Sequence, residues 1–182
     1  TTLSASIVPS LTAGPDALAL QPVSGNLFLF SNFVEDVSGV ISQSGALVAT
    51  LPTANAAAAA AFDAAGNLFI VSDQTRQLHR VDTTTAALLT SLDLEGFSSR
   101  VSAMAFDPVT GNLVVLADIT DTLLEFDPTS GAQISSTPLG PFGLSGIFPG
   151  LLAFNETGSQ LYVSKGTTPD SDSLFVFDRG TA

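Results

Sequence analysis

A chain of 182 residues that is 45% hydrophobic and only 12% charged has enough apolar content for a substantial core, which excludes a disordered polypeptide. Its 17 acidic side chains stand against five basic ones (Arg76, Arg80, Arg100, Lys165, Arg179), scattered singly, and the net charge of −12 excludes nucleic acid and anionic membrane surfaces as partners. Without Cys there is neither a disulfide framework nor a thiolate metal site, and no apolar stretch approaches the ~20 residues of a membrane-spanning helix, so membrane insertion by a helix is not expected.

Fifteen Gly and ten Pro suit short strands joined by tight turns, and the predicted elements follow that pattern along the chain. The first blade runs from a strand through Ala17 and Ala19 to Leu27–Phe30, then Val40–Ser42, then Ala46–Leu51. The second repeats it with Ala59 and Ala61, Gly66–Val71, Leu78–Asp82 and Ala87–Leu92. The third has Ala103 and Ala105, Gly111–Leu116, Leu123–Asp127 and Ala132–Ser136. The fourth has Ala153 and Phe154, Ser159–Ser164 and Leu174–Asp178, and lacks a fourth strand.

Asn26, Asn67, Asn112 and Gln160 hold one position of this repeat, at steps of 41, 45 and 48 residues, which is the blade period of a propeller. The predicted fold is therefore all-β: a propeller-type repeat of four blades, each of four antiparallel strands, in one domain with blades at about 15–52, 57–94, 101–139 and 148–182 plus 1–9. Alternation puts Leu27 and Leu29 on one face of the second strand and Phe28 and Phe30 on the other, so the strand must be covered on both sides by neighbouring blades. The matched alanines of the first strands suit inner strands crowding an axis. A short helix over Ala56–Ala61 is the alternative to a strand there.

The missing strand is expected at the other end of the chain. Residues 1–9 match the outer strands in length, polarity and terminal Pro, and joining Ala182 to Thr1 continues the repeat without a gap. The head strand is thus predicted to complete the last blade, in its own chain or in a neighbour, with Leu3, Ala5 and Ile7 meeting Leu174 and Val176 as the self-association residues. Beginning at Thr1 without a basic-then-apolar leader, the chain is expected to be a processed product or a piece of something longer.

The turn Phe106-Asp107-Pro108, then Gly111-Asn112-Leu113, between the first two strands of a blade resembles that of the YVTN and NHL-like propeller families. The resemblance covers nearly the whole chain and implies architecture rather than activity. Four blades depart from the six or more usual in those families. A tight closed ring, eight blades from two chains, and one period of a longer array are the arrangements this leaves open.

The residues carry little chemistry. Asp63 and Asp107 read as turn caps. His79 is the single histidine and cannot build a multi-histidine metal site. Gly143–Ile147 lacks the second Gly of a nucleophile elbow, and phosphate-binding Gly loops are absent. The acidic pairs Asp118 with Asp121, Asp170 with Asp172 and Glu35 with Asp36 lack the spacing of a calcium loop and read as solvated charge. Asn155-Glu156-Thr157 fits the glycosylation acceptor pattern.

No catalytic, cofactor-binding or metal residue is therefore expected. The leading expectation is a non-enzymatic structural or interaction propeller, extracellular or at the cell surface by its low-Lys, Ser/Thr/Ala-rich, acidic composition, and self-associating as a homo-oligomer or polymer. Binding to other protein is a further expectation. The alternatives are a calcium-dependent hydrolase resembling the propeller lactonases, and a glycan or small-ligand binder using Tyr162, Phe33, Phe97, Phe142 and Phe148 as loop aromatics.

Overall fold

The computed structural model describes residues 17–30, 37–52, 57–72, 75–85, 87–98, 100–146, 150–165 and 173–179. The predicted head strand, residues 1–9, lies outside the described residues.

Four antiparallel sheets follow one another along the chain. The first contains β1 (Ala17–Leu20), β2 (Leu27–Phe30), β3 (Val37–Ile41) and β4 (Leu47–Pro52) in that order. The second contains β5 (Ala59–Phe62), β6 (Leu68–Val71), β7 (Gln77–Val81) and β8 (Leu88–Asp93). The third contains β9 (Val101–Phe106), β10 (Leu113–Ala117), β11 (Thr122–Phe126) and β12 (Gln133–Pro138). The fourth contains β13 (Gly150–Phe154), β14 (Gln160–Lys165) and β15 (Ser173–Asp178), with β15 at its edge among the described strands. This is the four-bladed propeller architecture that the repeat predicts. The Ala-rich segment is a strand from Ala59, because its alternate residues fill the joints on either side. A short 3-10 turn at Gly140–Phe142, which the repeat does not foreshadow, links the third blade to the fourth.

Local chemistry sets each hairpin. Asp107 shows the turn in full: its Oδ1 accepts from the backbone N–H of Val109 at 2.8 Å, its Oδ2 from the Thr110 hydroxyl at 2.8 Å, and Gly111 takes the positive φ of 74° that turns the chain into β10. In the second blade Asp63 accepts from the backbone and side-chain N–H groups of Asn67, both at 2.7 Å. The first three blades also share a feature that spacing alone does not reveal. A register shift falls at the same repeat position between third and fourth strands, at Val40/Ile41, Arg80/Val81 and Glu125/Phe126, and such a bulge adds local twist to the outer part of a blade.

The core lies between blades. One apolar cluster joins the first to the second through Ala17, Ala19, Phe28 and Phe30 against Ala60, Leu68 and Ile70. Another joins the second to the third through Ala59, Val71 and Leu78 against Met104, Leu113 and Val115. A third joins the third to the fourth through Ala103 and Leu116 against Leu161 and Val163. Each large side chain so buried stabilises the fold by ~1.5–3 kcal/mol. The inner strands carry these joints, β1 on β5, β5 on β9 and β9 on β13. Among the described residues the three buried clusters join successive blades and none joins the fourth to the first, where Leu18 and Leu20 of β1 and Leu151 of β13 stay exposed, so the described blades form an open arc.

Candidate interaction surface

Register decides which side chains face out at the two ends of the arc. In the fourth blade Leu152, Phe154, Leu161, Val163, Phe175 and Phe177 share the face that packs on the third blade. The opposite face carries Leu151, Ala153, Tyr162, Ser164, Leu174 and Val176. Leu151 is 70% exposed, Leu174 65% and Val176 49%. At the other end, Ala17 and Ala19 point into the joint with the second blade, leaving Leu18 and Leu20 outward at 55% and 63%. Leu29 beside them is buried, so the open part of this face lies along the inner strand. Single exposed apolar residues are ordinary on any protein, but these are grouped on faces that every interior blade covers.

The structure thus places Leu174 and Val176 on the exposed face of the edge strand β15, while Leu3, Ala5 and Ile7 lie outside the described residues. The repeat reading did not assign Leu18, Leu20, Leu151 or Ala153 to an interaction surface. The available signal was Leu151 itself, which stands where the other first strands have Ala17, Ala59 and Ala103.

Residues that suggest chemistry are engaged in structural roles. His79 is buried, with Nε2 3.1 Å from the Thr75 hydroxyl and Nδ1 2.9 Å from that of Ser91, and burial lowers its pKa below 6.5. Asp118 accepts from Arg100 at 2.8 Å with its carboxylate fully covered, and Asp121 Oδ2 accepts from the Gly146 N–H at 2.9 Å. Glu35, Asp36, Asp170 and Asp172 lie outside the described residues. Among the described residues no group of three metal-ligating side chains converges.

Hydrogen bonds hold Asp107 and Asp127 as carboxylates. Burial pushes the Asp107 pKa up, but hydrogen bonds from Arg179, Val109 and Thr110 outweigh it and leave the pKa below 3.8. Asp127 is lowered to about 2 by the hydroxyl and N–H of Thr129. Both serve turns.

Of the candidate loop aromatics, Phe97 is buried against Phe126 between the second and third blades, and Phe142 is 53% exposed with its ring edge-on to Phe177 at 5.3 Å. Tyr162 is half-buried and donates to Gln160 at 2.9 Å. Phe33 and Phe148 lie outside the described residues. Asn155 spends its amide on its own turn, accepting from the Gln160 N–H and donating to the Ser159 hydroxyl. A cleft of ≈ 500 Å³ opens between the second and third blades, lined by Asn67, Phe69, Arg80, Thr90 and Thr129 among others. Arg80 donates there to Asn67 Oδ1 at 2.5 Å.

No protein-family model matches the chain, and no curated protein sequence does. Similar solved structures are propeller-like. Hydrazine synthase of Kuenenia stuttgartiensis is 13% identical with a TM-score of 0.64, over 98% of this chain and 49% of that one. A catalytically inactive virginiamycin B lyase from Staphylococcus aureus with quinupristin is 14% identical with a TM-score of 0.56, over 80% of this chain and 46% of that one. The chain therefore spans about half the length of each, and the likeness is one of fold.

Proposed function

We propose that the protein is a non-enzymatic interaction module, extracellular or at the cell surface, whose working part is the fourth blade and whose partners are proteins, copies of itself included. Under this reading it belongs with the YVTN and NHL-like propellers, which its blade turns resemble. The observation that carries it is the grouping of Leu151, Leu174 and Val176, all about half-exposed or more, on one sheet face beside the edge strand β15. Apolar patches of this kind mark association sites, and a strand edge without a partner among the described strands adds backbone donors and acceptors. The engagement of Asp63, Asp107, Asp118 and His79 in turns, ion pairs and core hydrogen bonds favours this reading over the calcium-dependent hydrolase.

Sedimentation velocity over a concentration series tests it. A species heavier than the 18.6 kDa chain is expected, diminished by Val176→Asp. A parallel calcium titration is expected to leave Tm unchanged, since a ligand bound only by the native state raises it. A calcium-dependent rise in Tm would favour the hydrolase instead.

A further inference from the structure

We infer that the two ends of the arc are complementary halves of one blade-to-blade joint, and that the partner of the fourth blade's free face is the first blade of a second copy. This rests on the self-association reading above and specifies its geometry.

The repeat register carries the argument. At each interior joint the earlier blade offers one face and the later blade the other. The offered face is Ala59, Ala61, Phe69, Val71 and Leu78 in the second blade, and Ala103, Leu116 and Leu123 belong to it in the third. The same positions in the fourth blade are Leu151, Ala153, Tyr162, Ser164 and Leu174, all on its uncovered face. The receiving face is Met104, Phe106, Leu113 and Val115 in the third blade and Leu152, Phe154, Leu161 and Val163 in the fourth. The same positions in the first blade are Leu18, Leu20, Leu27 and Leu29. Among the described residues the first blade therefore repeats the receiving pattern without a blade before it, and the fourth repeats the offering pattern without a blade after it.

The open portions are also the portions that interior joints use. Those joints run inner strand to inner strand, and the exposed leucines at the ends, Leu18, Leu20 and Leu151, lie on the inner strands β1 and β13. Because Leu151 on β13 and Leu18 and Leu20 on β1 stay exposed within one copy, the offering face of one copy meets the receiving face of another. Such a contact is heterologous, and two copies joined at both ends bury every free inner strand in a closed ring of eight blades.

Complementation between two double variants tests this. One carries Leu151→Asp and Leu174→Asp and loses only the offering face; the other carries Leu18→Asp and Leu20→Asp and loses only the receiving face. All four side chains are more than half exposed, so each variant is expected to fold, with a wild-type far-ultraviolet circular dichroism spectrum as the check. Native mass spectrometry is expected to give twice 18.6 kDa for the wild type and 18.6 kDa for each variant alone. Mixing the variants leaves one intact joint per pair and is expected to restore a two-chain species containing one of each.

A wild-type particle of 18.6 kDa at every concentration overturns this joint and self-association together. A wild-type assembly that survives in both variants overturns the joint alone and returns association to the strand edge. Loss of assembly in only the offering-face variant, without rescue on mixing, also overturns it, since that is the pattern of a symmetric contact between two fourth blades. An open-ended polymer in place of the two-chain particle overturns the closed ring.

Discussion

Leu174 occupies in the fourth blade the repeat position that Leu78 occupies in the second, yet Leu174 is 65% exposed and Leu78 2%. The two hold the same position in the third strand of their blades; what differs is the presence of a following blade among the described residues. Leu78→Ala is accordingly expected to cost about 2–5 kcal/mol in denaturant unfolding, the cost of an apolar cavity. At concentrations too low for association, Leu174→Ala is expected to stay within about 0.5 kcal/mol of wild type.

His79 is expected to make the fold sensitive to mild acid. Its pKa is lowered from 6.5 by burial, so the unfolded chain takes up the proton first. Its contribution is present above 6.5 and is lost as pH falls through the folded value. Thermal melts are expected to show wild-type Tm declining between about pH 7 and about pH 5, with a flatter profile for His79→Asn.

Arg179, just past β15, donates to the buried carboxylate of Asp107 in the turn of the preceding blade and lies over the Phe154 ring at 5.2 Å. Removing it leaves a covered carboxylate short of a partner, so Arg179→Ala is expected to cost about 1–3 kcal/mol. Because the Asp107 pKa is lowered, its stabilisation is present above 3.8 and is lost as pH falls further. The variant is expected to lose less stability over that acid range, which pH-dependent urea denaturation would measure.

Gly131 holds a φ of 75° in the turn before β12, and an added Cβ would collide with the backbone oxygen of Asp93 in the neighbouring blade. Its own carbonyl accepts from the Glu95 N–H at 2.9 Å. Gly131→Ala combines an unfavourable φ with that collision and is expected to cost about 1–3 kcal/mol, read as a lower urea midpoint.

The blades were legible because their determinants are local. Two-sided apolar strands such as Leu27–Phe30 and Leu68–Val71 recur in register, as do the turns from Gln21, Asp63, Asp107 and Asn155 to Asn26, Asn67, Asn112 and Gln160, and each joint buries the residues that alternation assigns to it. The interaction surface was only half legible. Leu174 and Val176 stood out as members of an edge strand, whereas Leu18, Leu20 and Leu151 look in sequence like any other core residue. Their exposure depends on whether the arc closes, and closure is set by the summed angles between blades rather than by any local pattern. The equivalent pairs Asn67 with Arg80 and Asn112 with Glu125 illustrate the same limit: one amide accepts and the other donates at 2.8 Å, so side chains of opposite charge fill one structural role.

Hydroxyl-radical footprinting across a dilution series tests most directly whether the arc's ends are association surfaces. Leu18, Leu20, Leu151 and Leu174 are expected to be reactive in dilute protein and protected together as concentration rises, while the exposed turn residues Val109 and Ile119 stay equally reactive throughout. Unchanged reactivity of the four leucines at concentrations where the protein is assembled would contradict the account.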